Sequence, residues 1–155
     1  MKFLEIGRVI FISPECLLLL LATAIYFYYP ESFIDIGNQF KSNYEVWKFI
    51  PTIPLTVCGF SIQYAWKILF PKENESNHLL LNWPNYWKLK LRVLVSVILC
   101  VACVLSALYI WIYINTLNEK AIGAIFFVAV SISITVAFNQ FLAAFKTREL
   151  LDIRP

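Results

Sequence analysis

Four long apolar runs dominate the 155-residue sequence and leave it few ways to fold. They cover residues 9–29, 51–70, 93–115 and 122–145, and each approaches the roughly 20 residues that a helix needs to cross a bilayer. A soluble core of this size could not cover them, because 60% of the residues are hydrophobic and only 15% are charged. The sequence therefore predicts an all-α, polytopic membrane protein, a single membrane domain built as a bundle of four transmembrane helices.

The first apolar run is the least regular of the four. Residues 13–15 combine a serine cap, a proline at the first helical position and an acid that favours the positive end of the helix dipole. The strict span can therefore start at residue 14. The run also has features of a signal peptide with cleavage near residues 22–24, but it stays apolar through Tyr29, so we expect the segment to remain attached.

The charges outside the apolar runs predict the orientation of the chain. Lysine and arginine are in excess in the amino-terminal segment, in an inner loop over residues 71–92 and in the carboxyl-terminal tail. The outer loop over residues 30–50 and the turn over residues 117–121 are nearly balanced. Because cytoplasmic loops carry the excess of positive charge, both termini are expected in the cytoplasm.

The outer loop has a helical pattern of apolar residues. Spacings of three and four, typical of an amphipathic helix, separate Phe33, Ile36, Phe40, Tyr44 and Trp47. We expect a helix that lies on the outer membrane surface. It could sense a stimulus, cover a cavity or simply connect the first two spans.

Aromatic and basic side chains are mixed in the inner loop and in the tail. Such residues either anchor the chain among anionic headgroups or dock a soluble partner, and both interpretations remain open. The residues expected to contact a partner are Trp83, Tyr86, Trp87, Lys88 and Lys90, with Lys146, Arg148 and Glu149 of the tail.

Polar residues interrupt the apolar runs near their inner ends. Because unpaired polar groups are costly in hydrocarbon, we expect these residues to converge in the cytoplasmic half of the bundle. Glu15 could pair with Lys67 or Arg92 there, or the long side chain of Lys67 could reach the interface by itself. The predicted cluster comprises Glu15, Gln63, Lys67, Arg92, Asn139 and Gln140.

Small residues recur on one side of each of the last two spans and are expected to allow close helix packing and oligomerisation. They are Ser96, Cys100, Cys103 and Ala107 in the third span, and Ala124, Ser131 and Thr135 in the fourth. The Cys100 and Cys103 pair is interpreted as packing, because the only histidine, His78, lies in a loop and further ligands are lacking. No metal and no cofactor are expected.

The sequence offers little for catalysis or for nucleic-acid binding. It has one histidine, no pair of acids on one helix face and a formal net charge of only +3 without a basic stripe. The outer helix, the small-residue faces and the inner loop are all suited to contacts. The prediction is a non-enzymatic sensor or scaffold subunit that oligomerises and docks a cytosolic protein.

In size, in its four spans and in its inner termini, the whole chain resembles the membrane subunit of the Kiwa anti-phage defence system, KwaA. The resemblance implies a multi-pass protein of the bacterial inner membrane that forms an oligomer and registers phage attack. It also implies that the cytoplasmic face meets a soluble effector, KwaB, which acts on phage DNA.

Two other functions remain open at this point. The chain is also similar to immunity proteins against pore-forming bacteriocins, whose helix faces recognise the toxin inside the bilayer. A small channel or transporter component is the third alternative, and its hydrated path would have to be lined by Gln63, Lys67, Asn139 and Gln140.

Overall fold

The computed structural model describes residues 14–70 and 86–152, and these residues are almost entirely helical. Helices account for about 90% of them, and no strand occurs in these two ranges, so the all-helical prediction is confirmed. The described helices are α1 (Pro14–Tyr28), α2 (Pro30–Ser42), α3 (Tyr44–Trp47), α4 (Thr52–Leu69), α5 (Tyr86–Tyr113) and α6 (Glu119–Asp152).

Two of the described helices are long and apolar enough to cross a membrane. They are α5 along its whole length and α6 over Glu119–Thr147. The pair of α1 and α2 would supply a third crossing if the two helices formed one broken span, although their axes bend by 93°. The described part of the chain therefore holds two to three candidate spans, whereas the sequence predicted four. α1 alone has 15 residues, which corresponds to about 22 Å.

A proline causes the sharp bend between α1 and α2. Pro30 occupies the first turn of α2, and the residue before a proline is disfavoured in the helical region. Tyr29 accordingly leaves helical geometry, with φ −132° and ψ 62°. The segment predicted to hold one amphipathic helix forms α2 and the one-turn α3. Asn43 divides them, and its side chain accepts a hydrogen bond from the backbone N–H of Glu45 at 3.1 Å.

α6 is the central helix of the bundle. It packs against α1, α2, α4 and α5, and α4 also packs against α5. Its fully buried side includes Ala129, Ile132, Ser133, Val136 and Gln140. Because neighbours surround much of α6, apolar residues occur on every side of it and its sequence shows no dominant face.

The structure buries the predicted small-residue face of α5 but not the one predicted on α6. Ser96, Cys100, Cys103 and Ala107 are all buried. The predicted residues of α6, namely Ala124, Ser131 and Thr135, are only half-buried. The predicted side of α6 is therefore rotated away from its most buried side, because small size alone does not mark a face on a helix with several neighbours.

The bundle has two distinct ends. At one of them, α4 ends beside the start of α5, and the Tyr86 hydroxyl donates to the Ile68 carbonyl at 2.7 Å. Ala65, Val93 and Ala144 pack together there. We call this the basic end, defined by Lys67, Lys88, Lys90, Arg92, Lys146 and Arg148. We call the opposite end, formed by residues 28–50 and 110–122, the loop end.

Candidate functional site

The start of α5 places aromatic rings and ammonium groups together at the basic end. Trp87 is exposed, and the Lys88 ammonium lies 5.7 Å from the centroid of its ring. The Lys90 ammonium lies 4.6 Å from the ring of Tyr86, which is buried and bonded to α4. Cations above aromatic faces are mutually stabilising. Four of the predicted docking residues therefore occupy the first turns of one helix.

The end of α6 brings further predicted docking residues to the same end of the bundle. Lys146 and Glu149 are exposed on it. Arg148 belongs to the same helix, whereas Trp83 lies outside the described residues. The 34 residues of α6 span about 51 Å, which exceeds the roughly 30 Å of a bilayer core. A helix of this length extends beyond the hydrocarbon core.

Two hydrogen-bonded pairs form a polar layer that consists of Glu15, Ser61, Asn139 and Gln140. The Asn139 Nδ2 donates to Glu15 Oε1 at 3.2 Å, and Glu15 is only 2% exposed. The Ser61 hydroxyl donates to Gln140 Oε1 at 2.5 Å. Because Asn139 and Gln140 are adjacent on α6, one turn of this helix is bonded to α1 on one side and to α4 on the other.

The other three residues of the predicted polar cluster lie apart from this layer. Gln63, Lys67 and Arg92 are exposed on the outside of the bundle. The Lys67 ammonium lies 5.0 Å from the ring centroid of Tyr64 on the same helix. The expected ion pair of Glu15 with Lys67 or Arg92 is therefore not formed. An exposed cation avoids the cost of burial, and Asn139 already binds the Glu15 carboxyl.

The polar layer is not fully satisfied. The side-chain carbonyl of Gln140 accepts the hydrogen bond from Ser61, while its buried Nε2 meets no hydrogen-bond acceptor in the described ranges. An unmatched buried donor costs about 1–3 kcal/mol. The layer thus links three helices and also contains a weak point at Gln140.

At the loop end, α2 and α6 touch through their backbones at two glycines. A Cβ atom on Gly37 would overlap the backbone carbonyl of Glu119, and one on Gly123 would overlap the carbonyl of Phe33. We call this contact the glycine crossing, defined by Phe33, Gly37, Glu119 and Gly123. The sequence interpretation missed it. Its only signal was a glycine in each of two helical segments.

Side chains on both sides of the glycine crossing strengthen it. Phe40 and Phe126 meet edge to face with centroids 4.6 Å apart. The Lys41 ammonium lies 2.9 Å from Glu119 Oε1. A short distance away, the Trp47 indole N–H donates to the Trp111 carbonyl of α5 at 3.1 Å. The segment that contains α2 and α3 is therefore fixed to the bundle by contacts with α5 and α6.

The middle of the bundle contains three of the cysteines. Cys58, Cys100 and Cys103 are buried in one cluster with apolar residues of α6. No group of three His, Cys, Asp or Glu residues suited to a metal ion occurs within residues 14–70 and 86–152. The buried thiols contribute to packing, since thiols of this kind behave as small hydrophobic groups.

The chain matches no known protein family, no curated protein and no solved structure. Inference about its function therefore depends on the arrangement of its own residues. Three features stand out among the described residues: the aromatic and basic surface at the basic end, the polar layer, and the glycine crossing at the loop end.

Proposed function

We propose that the protein is a sensor and scaffold subunit that spans the bacterial inner membrane four times, with its basic end in the cytoplasm. In the described ranges the basic half of the bundle has six Lys or Arg residues against three acids, namely Glu15, Glu149 and Asp152. The loop end has three Lys residues against four acids. The positive-inside rule favours this orientation. In this topology α1, α4, α5 and α6 cross the bilayer, and both termini are cytoplasmic.

The observation that carries the proposal is the extension of α6 at the basic end, next to the start of α5. Leu89 and Val93 of α5 pack with Ala143 and Ala144 of α6, so the two helices are held together just below the exposed residues. A surface with an exposed tryptophan is suited to a protein partner, because tryptophan, tyrosine and arginine are enriched in binding hot spots, and the lysines around it would favour an acidic partner.

A single helix joins the two ends of the bundle. α6 starts at the glycine crossing and continues without interruption to Asp152. A change in the position of α2 at the outer surface would therefore move α6, and with it the docking surface inside. We propose that α2 registers the stimulus and that α6 transmits it. Because α2 is packed tightly on α6 at the glycine crossing, the two helices would move together in this scheme.

The resemblance to KwaA gives this scheme a biological setting. On that basis the stimulus is phage attack, the protein forms an oligomer, and the docked partner is a cytosolic effector comparable to KwaB. The proposed contact residues are Trp87, Lys88, Lys90, Lys146, Arg148 and Glu149, with Trp83 of the preceding loop, while the buried Tyr86 holds the start of α5 in place beneath them. The protein itself has a non-enzymatic role and makes no direct contact with nucleic acid.

The topology can be tested with reporter fusions. A reporter that is active only in the cytoplasm, fused after residue 152, is expected to be active. The same reporter inserted at Asn43, between α2 and α3, is expected to be silent, and a reporter active only outside should give the opposite pattern. Activity of the cytoplasmic reporter at Asn43 alone would contradict the orientation.

The function can be tested by phage challenge of bacteria that express the chain together with its neighbouring genes. Protection from phage is expected, and the double change Trp87→Ala with Lys146→Glu should abolish it. The matched control is Ile98→Ala, which alters an exposed residue in the middle of α5. If the control abolished protection and the double variant did not, lipid-embedded recognition, as in bacteriocin immunity, would replace docking.

A further inference from the structure

A groove separates α1 from α5 in the half of the bundle next to the loop end. Both helices pack on α6, and the space between them has a volume of about 260 Å³. Its lining includes Thr23 of α1, Ser106 of α5 and the side of α6 that contains Ala124 and Val128. The groove is open to the surroundings of the bundle.

The wall of this groove is effectively apolar despite its hydroxyl groups. The Thr23 hydroxyl donates to the Leu19 carbonyl at 2.7 Å, and the Ser106 hydroxyl donates to the Ala102 carbonyl at 2.9 Å. Because both donors are used within their own helices, they offer little to a polar ligand. An apolar ligand can contact the whole wall without leaving a donor unmatched.

A cation stands at the loop end of the same groove. The Lys120 ammonium lies 3.9 Å from the ring centroid of Tyr26, which is itself part of the groove wall. Lys120 is one helical turn before Ala124. The neighbouring carboxylate, Glu119, is paired with Lys41. The mouth of the groove therefore presents positive charge with its nearby acid already neutralised.

We propose that the groove binds an anionic phospholipid of the outer leaflet, with one acyl chain along the apolar wall and the phosphate at Lys120. This inference rests on the bilayer placement proposed above. The apolar wall matches an acyl chain, and the cation at the membrane border matches the phosphate of the headgroup. A helix of a second copy fits less well, since a helix with side chains is about 10 Å wide and the groove is small.

The test measures lipid that stays bound to the full-length chain. The protein is reconstituted in vesicles of equal phosphatidylglycerol and phosphatidylcholine, extracted in mild detergent and examined by native mass spectrometry. The wild type should retain one lipid per chain and prefer phosphatidylglycerol about fivefold, the attraction expected from one lysine near the headgroups. Lys120→Gln should reduce this preference to about one. The control Lys48→Gln, at the same end, should retain it.

A second pair of variants tests the acyl-chain part of the site. Ser106→Leu fills the groove and should lose retention of both lipids, whereas Val101→Leu, at an exposed position on another side of α5, should not. Circular dichroism identifies variants that fail to fold, and Thr23→Leu fills the groove from α1 as an independent variant.

Three results would overturn the proposal. They are a wild type without retained lipid, retention that survives both groove-filling variants, and a wild-type dimer that Ser106→Leu dissociates, which would assign the groove to a second copy. The double variant Trp87→Ala with Lys146→Glu should keep its lipid. Failure of the docking proposal and failure of the lipid proposal are therefore distinguishable.

Discussion

The two ends of the bundle are built by different means. At the loop end, α2 and α6 meet through glycine backbones and an edge-to-face pair of phenylalanine rings, and both contacts depend on a close fit. At the basic end, long polar side chains extend from α5 and α6, and several of them are exposed. The loop end is therefore suited to holding one geometry, whereas the basic end is suited to meeting a partner.

The largest expected effect on stability comes from a single methyl group at the glycine crossing. Gly123→Ala places a Cβ against the Phe33 carbonyl and should lower the free energy of unfolding by about 1–3 kcal/mol, as overpacking does elsewhere. Gly59→Ala is the matched control, since nothing lies within 4 Å of a Cβ there. It should be neutral or slightly stabilising. Chemical unfolding in detergent micelles measures both.

The polar layer should show a similar or slightly smaller effect. Asn139→Leu leaves the buried Glu15 carboxyl without its donor, and a loss of about 1–3 kcal/mol is expected. Adding Glu15→Leu should recover part of this loss, because the double variant no longer buries an unmatched acid. If the second change only added to the first, the two residues would not act as a pair. The same unfolding assay provides the comparison.

Changes at the basic end should hardly alter stability. The double variant Trp87→Ala with Lys146→Glu is expected to unfold within about 0.5 kcal/mol of the wild type, because exposed side chains contribute little to the folded state. Its loss of phage protection would then be a loss of contact and not of folding. A large drop in stability would mean that these residues belong to the core, and the contrast between the two ends would fail.

The smallest effect is expected from the exposed ion pair at the loop end. Lys41→Gln removes the contact with Glu119, yet both side chains reach solvent and such pairs are weak. The variant should be indistinguishable from the wild type in high salt, where exposed charges are screened. A substantial loss that persists in high salt would show that the ion pair, and not the glycine crossing, fixes α2.

The helical class and the helix positions were readable from the sequence because long apolar runs determine both. The second run predicted 51–70 and the helix covers Thr52–Leu69. The first run is helical from Pro14 to Tyr28, and its predicted start lies at the limit of the described residues. For the third and fourth runs, the predicted spans are shorter than α5 and α6. Both helices continue into polar turns, and hydropathy alone does not include such turns.

The partners of individual side chains were less readable. Glu15 and Asn139 were placed in one cluster because both are costly in hydrocarbon, and they do form a hydrogen bond. Lys67 was placed with them, but depth in the membrane says nothing about which side of a helix faces inward. The glycine crossing depends on how two distant segments cross in space. A single glycine in each segment forms no repeated sequence pattern from which the contact could be predicted.

The central position of α6 also affects how the protein is made. The other described helices are synthesised before it, and α1 and α2 pack mainly on α6. Glu15 can therefore form its hydrogen bond with Asn139, and α2 can form the glycine crossing, only after α6 has been synthesised. Assembly of the bundle therefore depends on the last of the four apolar runs, since a chain without α6 would leave α1 and α2 without most of their packing contacts.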